Sequence, residues 1–311
     1  MFDIITIGDS VFDIFYVINE AEVSCDIDRK NCKLCVDYGE KIPVQSIVKT
    51  AGGNSANVAV AAAHLGYKTA IYTHVGGDAE GEQTIKNLRD RKVATSYVVK
   101  NDKKITSTSA VITFEKERTI FSYHEKWDYK LPKLPPSKFL YLTSCGNNFA
   151  SLYKEAREYA KKTGAKIIFA PGSRQVRTNL KNLQPTIKAA ELFILNLEEA
   201  NRIAVKKMTA KEYLKFYSKV GAKNIIITNG TKGSHGFDGT KFYFVRSLKV
   251  KTREKAGAGD SYAAAVIAAQ IDGKDLEAAM KWGAQLSAAV VQKVGAQKGL
   301  ITKTELLKRA K

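Results

Sequence analysis

The run Ala256-Gly257-Ala258-Gly259-Asp260-Ser261-Tyr262 leads straight into the alanine-rich stretch Ala263–Gln270. Alanine favours helix, so the small residues fall just before a helix start. Backbone N–H groups there can approach an anion closely. The helix dipole adds about half a positive charge at that end. A phosphate in transfer needs such a cradle. Asp260 would stand beside it, within reach of a hydroxyl that attacks phosphorus. A positioned base of this kind contributes roughly 10²–10⁴-fold. The plain alternative is a glycine-rich turn with Asp260 as an ordinary first-turn residue.

A second constellation is Ala51-Gly52-Gly53-Asn54-Ser55-Ala56-Asn57, which runs into a helix ending near Leu65-Gly66. Paired glycines allow close approach of backbone to ligand. Asn54 and Asn57 are three apart, so their amides share one side of the helix start. Amides both donate and accept, which suits sugar hydroxyls. The alternative is N-capping by Asn54. Asn196-Leu197-Glu198-Glu199 follows the strand Leu192–Leu195. Glu199 there could hold Mg²⁺ through water, or the pair could be a plain cap. Thr228-Asn229-Gly230-Thr231-Lys232-Gly233 follows the apolar Ile225–Ile227. It fits a nucleotide-phosphate turn or merely a tight turn, and it is not a G-x4-G-K-[ST] loop. Gly8-Asp9-Ser10-Val11-Phe12-Asp13 follows the first strand. Asp13 could accept from two sugar hydroxyls, with Asp9 as its rival and a capping role as the alternative.

These segments need a frame that brings them together. Short β-branched runs alternate with helical patterns along 311 residues. The expected strands are Ile4–Ile7, Thr69–Val75, Phe139–Thr143, Lys166–Phe169, Leu192–Leu195 and Asn224–Thr228. The expected helices include Ser55–Leu65, Leu152–Lys162, Glu198–Val205 and Ala210–Val220. Gly66, Gly164 and Gly221 stand where left-handed C′ residues belong. Such alternation predicts an α/β fold, a largely parallel sheet with helices on both faces. Gly8, Gly76, Ser144, Pro171-Gly172, Asn196 and Asn229-Gly230 all follow strands, and open parallel sheets bind ligands at those carboxyl ends. Residues 15–49 and 101–130 lack long helical patterns and read as β excursions, a flap over the site. In the second, Thr106–Thr113 and Thr119–Tyr123 flank a charged turn, Glu115–Arg118. Neither segment is apolar enough to fold alone, so one domain spanning 1–311 is expected.

Apolar residues make up 44% and charged residues 26%, the balance of a soluble globular chain. No run of eighteen apolar residues suggests a membrane span, and the N-terminus reads as a strand rather than a signal peptide. A cytoplasmic location is the expectation. Fifty Lys and Arg against 31 Asp and Glu give +19, which raises nucleic-acid binding. The basic residues are interspersed with acids, as in Lys154-Glu155-Ala156-Arg157-Glu158, so no dedicated nucleic-acid partner is expected. The excess reads as a solvated surface that attracts anions such as ATP.

Taken together, the motifs resemble the ribokinase-like (PfkB) family of carbohydrate and nucleoside kinases, in order and over nearly the whole chain. Gly52-Gly53-Asn54-x-x-Asn57 through Leu65-Gly66 is similar to its N-terminal signature. Val75-Gly76-Gly77-Asp78 with Gly81, Asn196-x-x-Glu199 and Gly257-Ala258-Gly259-Asp260 resemble three further signatures. The resemblance implies a central sheet with a small β-sheet lid drawn from 15–49 and 101–130, and a homodimer paired through the lid. It implies Asp260 as base and Gly257, Ala258 and Gly259 as anion hole. Asn196 and Glu199 would organise Mg²⁺ and phosphate. Thr228, Gly230 and Gly233 would line the ATP side, and Asp13, Gly53, Asn54 and Asn57 would hold the sugar. The family commonly places Asp-Thr-Thr or Asp-Thr before Gly-Ala-Gly-Asp. Here Glu254-Lys255-Ala256 keeps an acid, one methylene longer, and drops both threonines. That departure bears on a monovalent-cation site and on fine placement of the phosphate.

Three questions stay open at the level of sequence. Cys25, Cys32 and Cys35 have C-x6-C-x2-C spacing, which admits zinc with a fourth ligand from elsewhere, reduced thiols packing the lid, or a disulfide. Cys145 at a strand end is a poor fourth ligand. The acceptor reads as a sugar or a nucleoside: Phe12, Phe15 and Tyr16 could stack on a base or form lid core, and Arg174, Arg177 or Arg246 could read a substrate phosphate. A non-catalytic binding protein on the same frame is a further alternative. An oxidoreductase fares worse, because G-x-G-x-x-G is missing after the first strand.

Overall fold

The structure is a computed structural model describing residues 1–26, 32–115 and 117–310. Lys116, in the expected charged turn, lies outside the described residues. In chain order the strands are β1 (Phe2–Ile7), β2 (Val11–Ile18), β3 (Glu22–Cys25), β4 (Cys32–Cys35), β5 (Val44–Gly52), β6 (Thr69–Gly76), β7 (Ala94–Asn101), β8 (Thr108–Phe114), β9 (Glu117–Tyr123), β10 (Ser137–Leu142), β11 (Lys166–Phe169), β12 (Ala190–Asn196), β13 (Asn224–Thr228), β14 (Ser234–Phe237) and β15 (Phe242–Val245). The helices are α1 (Asn54–His64), α2 (Ala79–Asp90), α3 (Phe149–Thr163), α4 (Ser173–Val176), α5 (Leu180–Ala189), α6 (Leu197–Ala204), α7 (Ala210–Val220), α8 (Ala258–Ile271), α9 (Leu276–Val290) and α10 (Lys303–Arg309).

Nine strands form the main sheet in the order β15-β14-β13-β12-β11-β10-β1-β6-β7. All neighbours from β13 to β7 are parallel, and only β13-β14-β15 run antiparallel. The pleat sorts side chains by parity. Ile5, Ile7, Leu140, Leu142, Phe169, Phe193 and Ile225 face one core with Leu152, Leu183 and Tyr217 from α3, α5 and α7. Their neighbours Ile4, Phe139, Tyr141, Ile168, Ile194 and Ile226 face the other core, against α1, α8 and α9. Helix α8 is apolar all round because α1 and α9 cover it, and nine consecutive residues, Ser261–Ala269, are buried.

The small sheet has the order β5-β2-β8-β9. Its strands lie within or beside the two segments that lacked helical pattern, and β2 pairs with β8 in parallel. Phe12 and Phe15 of β2 are both buried. The expected charged turn is shorter than the sequence suggested: Arg118 is already in β9, paired with Thr113.

The zinc reading of the cysteines is corrected. Cys25 and Cys32 face each other in the β3–β4 hairpin and are joined as a disulfide, so neither sulfur is a thiolate ligand. The same bond overturns the reading of all three as reduced lid thiols. Cys35 is exposed and free, and Cys145 is buried three residues past the end of β10. Among the described residues no three His, Cys, Asp or Glu side chains come together as a metal cluster. No helix among them is long and apolar enough to cross a membrane.

Candidate active site

The segments singled out by their spacing converge at the carboxyl end of the main sheet. Asp260 is in the first turn of α8, half-buried, and its two carboxylate oxygens are held by different amides. Asn54 Nδ2 donates to Oδ1 at 3.0 Å, and Asn57 Nδ2 donates to Oδ2 at 2.8 Å. Asn54 is therefore not the cap of α1. The N-cap is Gly53, with no side-chain bond. Asn57 is itself oriented from behind by buried Gln297, whose Nε2 donates to Asn57 Oδ1 and to the carbonyl of Ala51, both at 3.0 Å. Withdrawal from water raises the pKa of Asp260 above the ordinary carboxylate value, and the Asn57 and Asn54 hydrogen bonds pull it back down.

The loop before α8 is shaped by packing. Gly257 caps the helix at φ +76°, and a Cβ there would meet Ala296 at 2.5 Å. Only glycine fits both constraints. Gly259 is different: it is exposed, and a Cβ on it would meet nothing within 4 Å. The first-turn N–H groups beside it have no helical acceptors, the arrangement an anion uses.

Gly259 and Ala258 form one wall of a cleft of about 640 Å³. Thr228, Gly230 and Gly233, from the turn after β13, line it. The strand-free segment Arg246–Thr252 and the α9 residues Ser287 and Ala288 complete it. That segment carries no motif, and helix periodicity alone could not assign α9 to a ligand wall.

Asp13 on β2 is close enough to Asp260 to feel its charge. Burial pushes the Asp13 carboxyl up to about 6, and the negative charge of Asp260 adds to the effect. Ser109 and the charge of Arg118 work against it. A Cβ on Gly52 would sit 2.5 Å from Asp13 Oδ2, so glycine there leaves room for the carboxylate. Asp9, the rival, is buried and accepts a short hydrogen bond from the Tyr129 hydroxyl. It is a structural acid whose burial pushes it up to about 6.

Asn196 and Glu199 form a complete capping box on α6: Glu199 N–H donates to Asn196 Oδ1 at 2.8 Å, and Asn196 N–H to Glu199 Oε2 at 2.9 Å. The capping reading is thus realised. Yet Glu199 is more than a cap. Burial pushes it up to about 7, and the charge of Asp260 contributes, so the two acids sense each other across the site. Asp78 of the Val75–Gly81 motif caps α2 and also accepts from the Thr106 N–H at 2.7 Å. That motif ties a main-sheet helix to the chain entering the lid.

Arg174 bonds Asn147 and lends positive charge to Asp9, Arg246 lines the large cleft, and Arg177 ends α4 in an exposed position.

A largely parallel main sheet, a small second β-sheet and a glycine-rich helix start set beside carboxylates define a ribokinase-like fold. The same architecture recurs in Arabidopsis thaliana ribokinase complexed with ribose and ATP, with TM-score 0.82, 21% identity and coverage of 100% of this chain and 99% of that one. It recurs in Burkholderia thailandensis nucleoside kinase in complex with inosine, with TM-score 0.79, 15% identity and coverage of 99% and 97%. Residues 16–303 match the pfkB family carbohydrate kinases, and the chain belongs to that family. Among its relatives is a ribokinase of Bacillus subtilis, 28% identical over 86% of this chain and 90% of the relative. A nucleoside kinase of Methanothermobacter thermautotrophicus is 24% identical over 83% and 84%. The protein is a phosphotransferase with an alcohol group as acceptor.

Proposed function

We propose that the chain transfers the terminal phosphoryl group of ATP to a hydroxyl of a ribose- or ketohexose-like sugar, with Asp260 as general base. The observation that carries this reading is the position of Asp260. It stands at the start of α8, directly after Gly259 of the 640 Å³ cleft wall and close enough to Asp13 for each charge to be felt. ATP would lie along Thr228, Gly230, Gly233 and the Arg246–Thr252 segment, with its phosphates toward Ala258 and Gly259. The sugar would lie under the lid on Asp13, Gly52 and Gly53, exchanging hydroxyls for the amides of Asn54 and Asn57. Asp260 would then take the proton of the attacking hydroxyl, while the loop N–H groups stabilise charge on the transferring oxygens.

Magnesium fits this donor set. Two carboxylates, Glu199 and Asp260, repel one another here, and that repulsion adds to burial in displacing Glu199 toward neutrality. Glu199 with Asn196 would hold the ion through water, and the ion would supply charge neutralisation of the phosphates. A sugar is preferred over a nucleoside because Phe12 and Phe15 are only 4% and 3% exposed, packed in the lid rather than offered for stacking on a base. A cytoplasmic location, a single domain over 1–311 and a homodimer through the lid accompany the reading.

The test is ADP release from Mg·ATP over pentoses, hexoses, sugar phosphates and nucleosides, with Asp260→Asn as control. An acceptor-dependent signal lost by ~10²-fold or more in the variant is expected. Undiminished turnover in Asp260→Asn removes Asp260 as base. Silence across the panel with ATP still bound favours a binding protein on this frame.

A further inference from the structure

The lid strand β9 and the segment entering the phosphate loop carry matching charge pairs. β9 begins Glu117-Arg118, and the loop approach reads Glu254-Lys255. Arg118 Nη1 donates to Glu254 Oε1 at 2.7 Å, and Lys255 Nζ donates to Glu117 Oε1 at 2.6 Å. The two bridges are unequal. Lys255 and Glu117 are 62% and 74% exposed, where an ion pair contributes little. Glu254 is only 8% exposed, and a buried carboxylate deprived of its partner is strongly disfavoured.

Glu254 Oε1 has further duties. It accepts the N–H groups of Lys255 at 2.8 Å and Ala256 at 3.0 Å. These N–H groups belong to the two residues immediately before Gly257. On the other side, the N–H groups of Arg253 and Glu254 bond the carbonyl of Val291 at the end of α9. The approach to the phosphate loop is therefore pinned to α9 at its start and folded around one carboxylate oxygen at its finish. The cation that neutralises that oxygen comes from the lid. The same guanidinium lends positive charge to Asp13 on the substrate side.

We propose that Arg118 and Glu254 are positioning residues that couple the seat of the lid to the shape of the phosphate-binding loop. With β9 seated, Arg118 fixes Glu254, Glu254 fixes the peptides of Lys255 and Ala256, and Gly257–Gly259 hold their phosphate-binding form. With β9 away, the carboxylate turns to water and the loop relaxes. Phosphoryl transfer is thereby confined to the lid-seated form, which disfavours transfer to water. The transfer part of this coupling rests on the kinase reading above; the loop part does not.

The experiment is amide hydrogen–deuterium exchange across residues 253–262 in the wild-type protein, Arg118→Gln, Arg118→Lys and Glu117→Gln, with thermal midpoints alongside. Arg118→Gln should speed exchange at Lys255 and Ala256 roughly tenfold with little change in midpoint. Arg118→Lys should recover part of that protection, and Glu117→Gln should stay within about twofold of wild type. Unchanged exchange in Arg118→Gln overturns the coupling. A general rise in exchange with a collapsed midpoint in both Arg118 variants also overturns it, because the pair would then serve global stability. With the acceptor found above, Arg118→Gln should lower kcat about tenfold or more with KM for ATP within about threefold, and raise the share of ATP lost to water. A fast-exchanging loop in a chain that phosphorylates nothing leaves the coupling standing and sinks the kinase reading instead.

Discussion

Asn57 and Asp260 are 203 positions apart in the chain and 2.8 Å apart in the fold, the amide of one donating to the carboxylate of the other. The bond joins the start of α1 to the start of α8, the two helices that pack against each other beneath the site. Because the donor favours the ionised acid, it opposes the rise in pKa that burial imposes on Asp260. Removing the donor must push that pKa higher still. In Asn57→Ala the acid limb of the kcat/KM profile should therefore move to higher pH. Activity at pH 6 should fall more than activity at pH 8. A limb that stays in place, or moves down, shows that another group sets it.

Gly257 and Gly259, with only Ala258 between them, should respond differently to the same methyl group. Gly257 has φ +76°, and a Cβ added to it would lie 2.5 Å from Ala296, so Gly257→Ala should cost stability, about 1–3 kcal/mol. Gly259 is helical and open, so Gly259→Ala should fold as wild type or slightly better. Its methyl group would project into the space the phosphates need. Thermal melts and initial rates separate the two: loss of midpoint for the first, loss of kcat at preserved midpoint for the second. An equally stable, fully active Gly259→Ala would show that the phosphates do not pass there.

Glu199 gives a pH-dependent stability with a defined sign. Its folded pKa, about 7, lies above the ordinary 4.5, so the folded chain binds the proton more tightly than the unfolded chain. Below about pH 4.5 both states hold the proton and Glu199 costs nothing. As pH rises toward 7 that cost grows, and above 7 it is complete. Glu199→Gln preserves the capping box and removes the charge. The variant should be more stable than wild type at pH 8, by about 1–3 kcal/mol, with the advantage vanishing near pH 4.5. Denaturant midpoints at the two pH values measure it. An advantage that grows toward low pH would reverse the assigned shift.

Much of this site is legible before folding because its parts are local. Gly257–Asp260 and Gly52–Asn57 each declare a helix start in four to six letters, and the strands Lys166–Phe169 and Asn224–Thr228 match their apolar runs to the residue. What stays hidden is whatever depends on a partner distant in sequence. Nothing in Gly52–Asn57 itself says that the Asn54 and Asn57 amides meet the Asp260 carboxylate. Gln297, 240 positions from Asn57, has no motif, and only its burial against Ala51 and Asn57 reveals its role. Strands β14 and β15 escape a reading by pattern because two four-residue segments around a turn carry too little periodicity to stand out. The cysteine spacing fits metal and disulfide alike, and the β3–β4 register decides between them.

The replacement of the usual family residues by Glu254-Lys255-Ala256 leads to a last expectation, concerning monovalent cations. A small cation beside the phosphate loop would need oxygen ligands with negative charge to spare. The acid in the right place is Glu254, and its Oε1 already receives the Arg118 guanidinium and two N–H groups. In place of threonine hydroxyls, which could complete an oxygen cage, stand Lys255, which brings a positive charge of its own, and Ala256, whose side chain brings no ligand. Electrostatics there is satisfied from within the chain. Turnover should therefore differ by less than about twofold between potassium, sodium and tetramethylammonium chloride at equal ionic strength, since only general screening remains. In Arg118→Gln the carboxylate loses its partner, and potassium should then recover part of the lost rate where tetramethylammonium does not. Strong potassium activation of the wild-type protein would mean that a cation finds other ligands at this loop.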